Sequence, residues 1–117
     1  MPGVIHQRKQ RTPESMWRSA GMKWLKLRFG NHLWAYRTIG NGMSRSGVPD
    51  DLLVIRGIFV GVEWKRPDYR PSKPWTAQDA EIEGIRTAGG RAAKVRNMDE
   101  LEALVAGIEP VQFSMRG

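Results

Sequence analysis

The chain contains no cysteine, which excludes a disulfide framework, a thiolate zinc site and a cysteine nucleophile. Its only histidines are His6 and His32, and neither belongs to a Ser-His-Asp pattern. Long apolar runs are also missing. The longest extend over a few residues, as in Leu52 to Ile55, against the roughly 20 needed to span a bilayer. No signal-peptide apolar core follows Met1, so the expectation is a cytoplasmic protein with no membrane partner. Acidic residues are scarce at one end: residues 1–47 hold Glu14 alone against nine Lys and Arg.

The 117 residues suffice for one small domain with a two-layer core. The formal charge is +7, from 19 Lys and Arg against 12 Asp and Glu. That excess belongs to the N-terminal part, because residues 48–79 balance and residues 80–117 carry one net negative charge. A basic surface of this kind attracts polyanions by counterion release, or serves simply as a solvated face.

Residues 1–11 lack apolar periodicity and are expected to form a flexible basic arm, with 12–109 as a single domain and 110–117 as a tail. Thr12-Pro13-Glu14 has an N-cap, a first-turn proline and a first-turn acid, which predicts a helix over 13–29. Trp17, Ala20, Trp24 and Leu27 form its apolar stripe, with Gly30 as the cap. Residues 32–39 suit a strand, and the polar, glycine-rich stretch from Gly40 to Gly47 a loop. Residues 51–55 and 58–65 read as a hairpin around Arg56-Gly57. After a loop bearing Pro67, Pro71 and Pro74, Thr76 with Asp79 forms a capping box for a helix to Ala88, stopped by Gly89-Gly90. A short strand over 91–96 follows, then a helix capped by Asn97 and Glu100. The order of helix, three strands, helix, strand, helix predicts an α/β fold around a mixed sheet.

The hairpin register places the chemistry. With Arg56-Gly57 as a two-residue turn, Ile55 faces Ile58 and Asp50 faces Glu63; a bulged three-residue loop would shift that pairing by one. Opposed residues have Cβ atoms about 4.5 to 5.5 Å apart, and like charges so placed are destabilising unless a cation compensates. Lys65 lies on the face of Glu63, two residues along. The same three residues are also compatible with a surface Glu63–Lys65 ion pair at a strand end. As a chemical group, Asp50, Glu63 and Lys65 suit metal-assisted phosphodiester hydrolysis: carboxylates are hard ligands for Mg²⁺, and a lysine can orient water or stabilise phosphate charge.

Gly47-Val48-Pro49-Asp50, Glu63-Trp64-Lys65, Gln78 on the next helix and Ala88-Gly89-Gly90 before a short strand resemble the virus-type replication-repair nuclease (VRR-NUC) domain of the PD-(D/E)xK superfamily. The compact size is similar to the stand-alone phage and bacterial members. The resemblance runs from about Glu14 to Val105 and implies a restriction-endonuclease-like fold. It also implies a Mg²⁺- or Mn²⁺-dependent structure-specific endonuclease acting on branched DNA such as Holliday junctions, as a homodimer. By position, Asp50 and Glu63 match metal ligands, the Trp64 backbone carbonyl a further ligand, Lys65 the catalytic lysine and Gln78 the helix glutamine. Glu14 sits where members carry an acid approaching the metal. The Asp50-Asp51 doublet departs from the single aspartate of the family, and the register favours Asp50.

Arg8, Lys9, Arg11, Lys23, Lys26, Arg45 and Lys73 are the candidate DNA contacts. Trp17 and Trp24 are expected in the core and Trp34 in the core or at a dimer surface. Trp75 either packs on the domain or stacks on an unpaired base. Paired incision of two strands needs two sites related by a twofold axis, which favours a dimer. The rival reading is a non-catalytic basic DNA-binding or packaging protein.

Overall fold

A computed structural model describes residues 11–38 and 45–112. The basic arm with Arg8 and Lys9, the stretch from Ile39 to Ser44 and the last five residues lie outside the described residues. Helix α1 spans Pro13–Phe29, and Thr12 Oγ1 accepts the Ser15 amide at its start. Gly30, at φ 54°, ends it and donates its amide to the Lys26 carbonyl. A 3₁₀ turn, Gly30–His32, leads into strand β1, Leu33–Arg37. Strands β2, Asp51–Ile55, and β3, Ile58–Trp64, form the hairpin. Helix α2, Ala77–Thr87, has a complete Thr76–Asp79 capping box, and strand β4 covers Arg91–Val95. Helix α3 is Met98–Leu104, with the Asn97 side chain accepting the Glu100 amide.

The protein is therefore α/β: a four-stranded mixed sheet in the order β1-β2-β3-β4 with three helices. The first three strands are antiparallel, while β4 runs parallel to β3 through the α2 crossover. Strand alternation divides the sheet into two faces. Leu53, Ile55, Val60, Val62, Trp64 and Val95 form one core with Met22, Leu25 and Phe29 of α1 and Leu101 and Leu104 of α3. Each fully buried Leu or Phe contributes roughly 1.5–3 kcal/mol. On the other face α2 packs Ile82 and Ile85 toward the small residues Gly61, Gly90 and Ala92. Among the described residues no helix is long and apolar enough to cross a membrane.

The hairpin has the register expected of a two-residue turn, with Ile55 opposite Ile58 and Asp51 opposite Val62. Arg56 and Gly57 both have positive φ, 48° and 81°, as a primed turn requires. Arginine is a costly residue there. Its amide donates to the His32 carbonyl and its Nε to the Glu109 carbonyl at 2.6 Å, which offsets part of that cost.

The buried face of α1 departs from the expected stripe. Gly21, Met22, Leu25 and Phe29 are buried, whereas Ala20 and Leu27 are exposed and Trp17 and Trp24 are half-buried. At 100° per residue, the inward face is turned by roughly a third of a turn from the Trp17–Leu27 line. The reason is that this face begins with Glu14 and Arg18, whose polarity hides its apolar character until Gly21. Gly21 is there for space, since a Cβ at that position would overlap the Trp64 ring. Trp17 meets the same ring edge-on at 5.4 Å and donates its indole N–H to the Val95 carbonyl. Trp34 is not in the core: it is 59% exposed on the edge strand β1.

Candidate active site

Two adjacent aspartates at the start of β2 have separate surroundings. Asp51 points into the α1 face and is 1% exposed. Its carboxylate accepts Arg18 Nε at 2.7 Å and Nη2 at 2.8 Å, and Trp64 Nε1 at 2.7 Å. This bidentate pair satisfies Asp51 internally. Asp50 lies on the opposite face, where Oδ2 accepts the Trp64 amide at 3.0 Å. The doublet therefore splits into a structural Asp51 and an Asp50 that faces Glu63.

Asp50 and Glu63 occupy the position one step beyond the last ladder pair, Asp51 and Val62. Glu63 is 4% exposed. Burial, followed by the negative charge of Asp50, pushes the Glu63 carboxyl up to about 8. Burial likewise raises Asp50, opposed in part by the Trp64 amide and the neighbouring Glu63 carboxyl. Two neighbouring buried carboxyl groups cannot both ionise cheaply, so the charge of Asp50 helps Glu63 keep its proton to higher pH. Gln78 Nε2 donates to Glu63 Oε2 at 3.1 Å, and Lys65 Nζ stands 3.8 Å from the same oxygen.

Backbone placement follows from prolines and glycines. The two-residue turn makes every second pair from Ile55–Ile58 hydrogen-bonded, and Pro49 would be the ladder partner of Trp64. Pro49 has no amide N–H, so it cannot satisfy the Trp64 carbonyl from that side. The Trp64 amide turns to the Asp50 side chain, and Thr38 Oγ1 anchors the Pro49 carbonyl at 2.8 Å. Gly47, at φ 89°, packs on the start of α2, where an added Cβ would overlap the Ala77 backbone and come within 2.8 Å of the Gln78 amide. The Gly47–Asp50 loop and the first turn of α2 are thereby pressed together, which brings Gln78 to Glu63.

A cleft of about 200 Å³ opens beside Asp50, lined by Thr12, Glu14, Ser15, Arg18, Arg37 and Trp64. Glu14 is thus brought to the site, and its charge contributes to raising Glu63. No family model, curated protein or solved structure matches this chain. The chemistry of the site rests on its own geometry. Among the described residues no three His, Cys, Asp or Glu side chains form a ready ligand set. The carboxylate pair is a donor set that suits a hard cation retaining several waters. A larger cleft of about 550 Å³ lies along β4 between Arg86 and Leu104. Its only carboxylate, Glu100, is bound by Arg96 at 3.0 Å, so it has no comparable chemistry.

The expected DNA contacts have mixed surroundings. Lys23 and Lys26 are exposed on α1, and Lys73 is exposed in the loop before α2. Arg11 donates to Ser19. Arg45 is engaged by Glu81 through two hydrogen bonds, at 2.6 and 2.9 Å, so its charge is largely compensated. Trp75 is 59% exposed.

The sequence reading missed Arg18, Arg37, Tyr69 and Lys94. Arg18 had a usable signal, being four residues after Glu14 on the same helix face. Lys94 had none, because its position opposite Glu63 arises only from the parallel β3–β4 register.

Proposed function

We propose that the protein is a Mg²⁺- or Mn²⁺-dependent DNA endonuclease with a restriction-endonuclease-like arrangement, acting on branched DNA such as Holliday junctions. The observation that carries this reading is the buried Asp50–Glu63 pair with Lys65 Nζ 3.8 Å from Glu63. Asp50, Glu63 and the Trp64 carbonyl are the groups that would hold the cation, with Glu14 facing the same cleft. When bound, the cation supplies neutralisation of phosphate charge and activation of a water nucleophile. Gln78 holds Glu63 by its amide hydrogen bond. Lys65 is poised to orient the attacking water or to donate a hydrogen bond to a phosphate oxygen as charge develops. Exposed Lys23 and Lys26 on α1 offer phosphate contacts.

The deciding assay compares four-way junction, flap, single-strand and linear duplex DNA with and without each metal. Cutting is expected only with Mg²⁺ or Mn²⁺ and preferentially at the junction, and Lys65→Ala should remove it while binding persists. Equal cutting by Lys65→Ala would indicate a contaminating nuclease. Metal-independent binding without any cutting would favour the accessory-protein reading.

We further propose that the protein is a homodimer. Trp34 supports this, because its exposed indole stacks on Tyr36 at 6.3 Å and 7° on the edge strand. An exposed edge strand bearing a large aromatic is a ready template for association. Sedimentation should give twice the mass of one chain, and Trp34→Glu should give one. A wild-type monomer at micromolar concentration would refute the dimer.

A further inference from the structure

Tyr69 lies against Lys65. The chain turns as soon as it leaves β3: Pro67 occupies the second position of a turn closed by the Tyr69 amide and the Arg66 carbonyl at 2.9 Å. The turn folds Tyr69 back toward the strand end, where its carbonyl accepts Arg70 Nη1 at 2.9 Å and Arg96 Nη1 at 3.4 Å. Lys65 Nζ then sits 4.9 Å from the centre of the Tyr69 ring. Lys94 Nζ lies 5.7 Å from the same centre and 3.5 Å from the phenol oxygen. Lys94 is tied in turn to Asp79, 3.1 Å away, the α2 capping residue next to Gln78.

We propose that Tyr69 is a positioning residue for Lys65, its ring holding the ammonium on the Glu63 side of the site while Lys94 and Asp79 hold the ring. The role in cutting rests on the nuclease reading. A lysine stem is long and loses much rotamer freedom when its ammonium is held in one place. The Glu63 contact at 3.8 Å is too long to hold the ammonium in one place by itself. An ammonium over an aromatic face is attracted by the ring's electron-rich surface, which offsets that loss of rotamer freedom, so the ring decides where the ammonium rests. Tyr69 and Gln78 thus fix the two partners of the site from opposite sides, Lys65 by the ring and Glu63 by the amide. Both are linked to α2, Tyr69 through Lys94 and Asp79.

The test uses the metal-free full chain as well as the metal-loaded enzyme. In carbon–proton NMR spectra recorded in chelator, the Lys65 ε-methylene signal, assigned by its loss in Lys65→Arg, should lie upfield of those of exposed Lys23 and Lys26. The ring current should persist in Tyr69→Phe and vanish in Tyr69→Leu. On junction DNA with Mg²⁺, Tyr69→Leu should lower kcat roughly three- to thirtyfold with KM within about twofold, and Tyr69→Phe should restore it. A Lys65 signal at the position of the exposed lysines in the wild type overturns the proposal, and this reading does not depend on whether Tyr69→Leu folds. Unchanged kcat in Tyr69→Leu also overturns it. Failure of the wild type to cut, with the NMR pattern intact, overturns the nuclease reading and the catalytic role together while leaving the Lys65–Tyr69 contact established.

Discussion

Asp51→Ala is expected to destabilise the fold by roughly 2–4 kcal/mol, whereas Asp50→Ala, one residue away, should lower the melting temperature by much less. Asp51 is buried and engages Arg18 twice and the Trp64 indole once. Its removal leaves a half-buried guanidinium and a buried indole N–H without their acceptor, a larger penalty than the net value of the pair. Because Arg18 retains partial access to water, at 21% side-chain exposure, the loss should fall below that of a fully buried pair. For a domain of this size the expected drop is roughly 10–20 °C. Asp50→Ala removes a charge that raises Glu63, and the repulsion relieved offsets the loss of the Trp64 amide's acceptor. Under the proposed nuclease function it should nevertheless reduce metal-dependent cutting by about a hundred- to a thousandfold, as expected when a group that organises the reaction is lost. Thermal melts of the two variants with a junction-cutting assay distinguish the roles. If Asp50→Ala melted low and Asp51→Ala melted normally, the division between them would be wrong.

The second large effect is a dependence of stability on pH, which the cation of the proposed function should suppress. Glu63 has a folded-state value raised to about 8 by burial and by Asp50, against about 4.3 in an unfolded chain. Below pH 4 the carboxyl is protonated in both states and contributes no pH dependence. Between about 4.3 and 8 the folded protein retains a proton that the unfolded chain has lost, so stability falls as pH rises through this window. In chelator, unfolding at pH 8.5 should therefore require a few kcal/mol less than at pH 5.5. Asp79, Glu81 and Glu100 do not confuse the measurement. Their values are lowered, by hydrogen bonding to Thr76, Arg45 and Arg96 respectively, so their contribution is lost only as pH falls to the acid side of this range. Glu63→Gln should flatten the dependence and raise stability at pH 8.5. Mg²⁺ should stabilise the wild type at pH 8.5 more than at 5.5 and have little effect on Glu63→Gln. A pH-independent wild type in chelator would refute the raised Glu63 carboxyl.

Local chemistry was legible along the chain. Thr12, Thr76 with Asp79, and Asn97 start their helices by side-chain bonds to amides three residues on. The register of the hairpin also followed from a local feature, because a two-residue turn dictates every later pairing. Asp50 and Glu63 could therefore be placed opposite each other before any tertiary structure was known. The inward face of α1 was not legible, since it begins with the polar Glu14 and Arg18, of which Arg18 pairs with Asp51.

The sequence by itself determined the order of the elements, their caps, the hairpin register and the approach of Asp50, Glu63 and Lys65, because each depends on bonds or alternation within a few residues. Only the tertiary structure decided that Asp51 is bound by Arg18, that the Trp64 amide turns to the Asp50 side chain, and that Tyr69 reaches Lys65 and Lys94 reaches Tyr69. Those outcomes depend on which faces of α1, α2 and β4 meet the hairpin, and long-range packing chooses between faces that have similar local propensities.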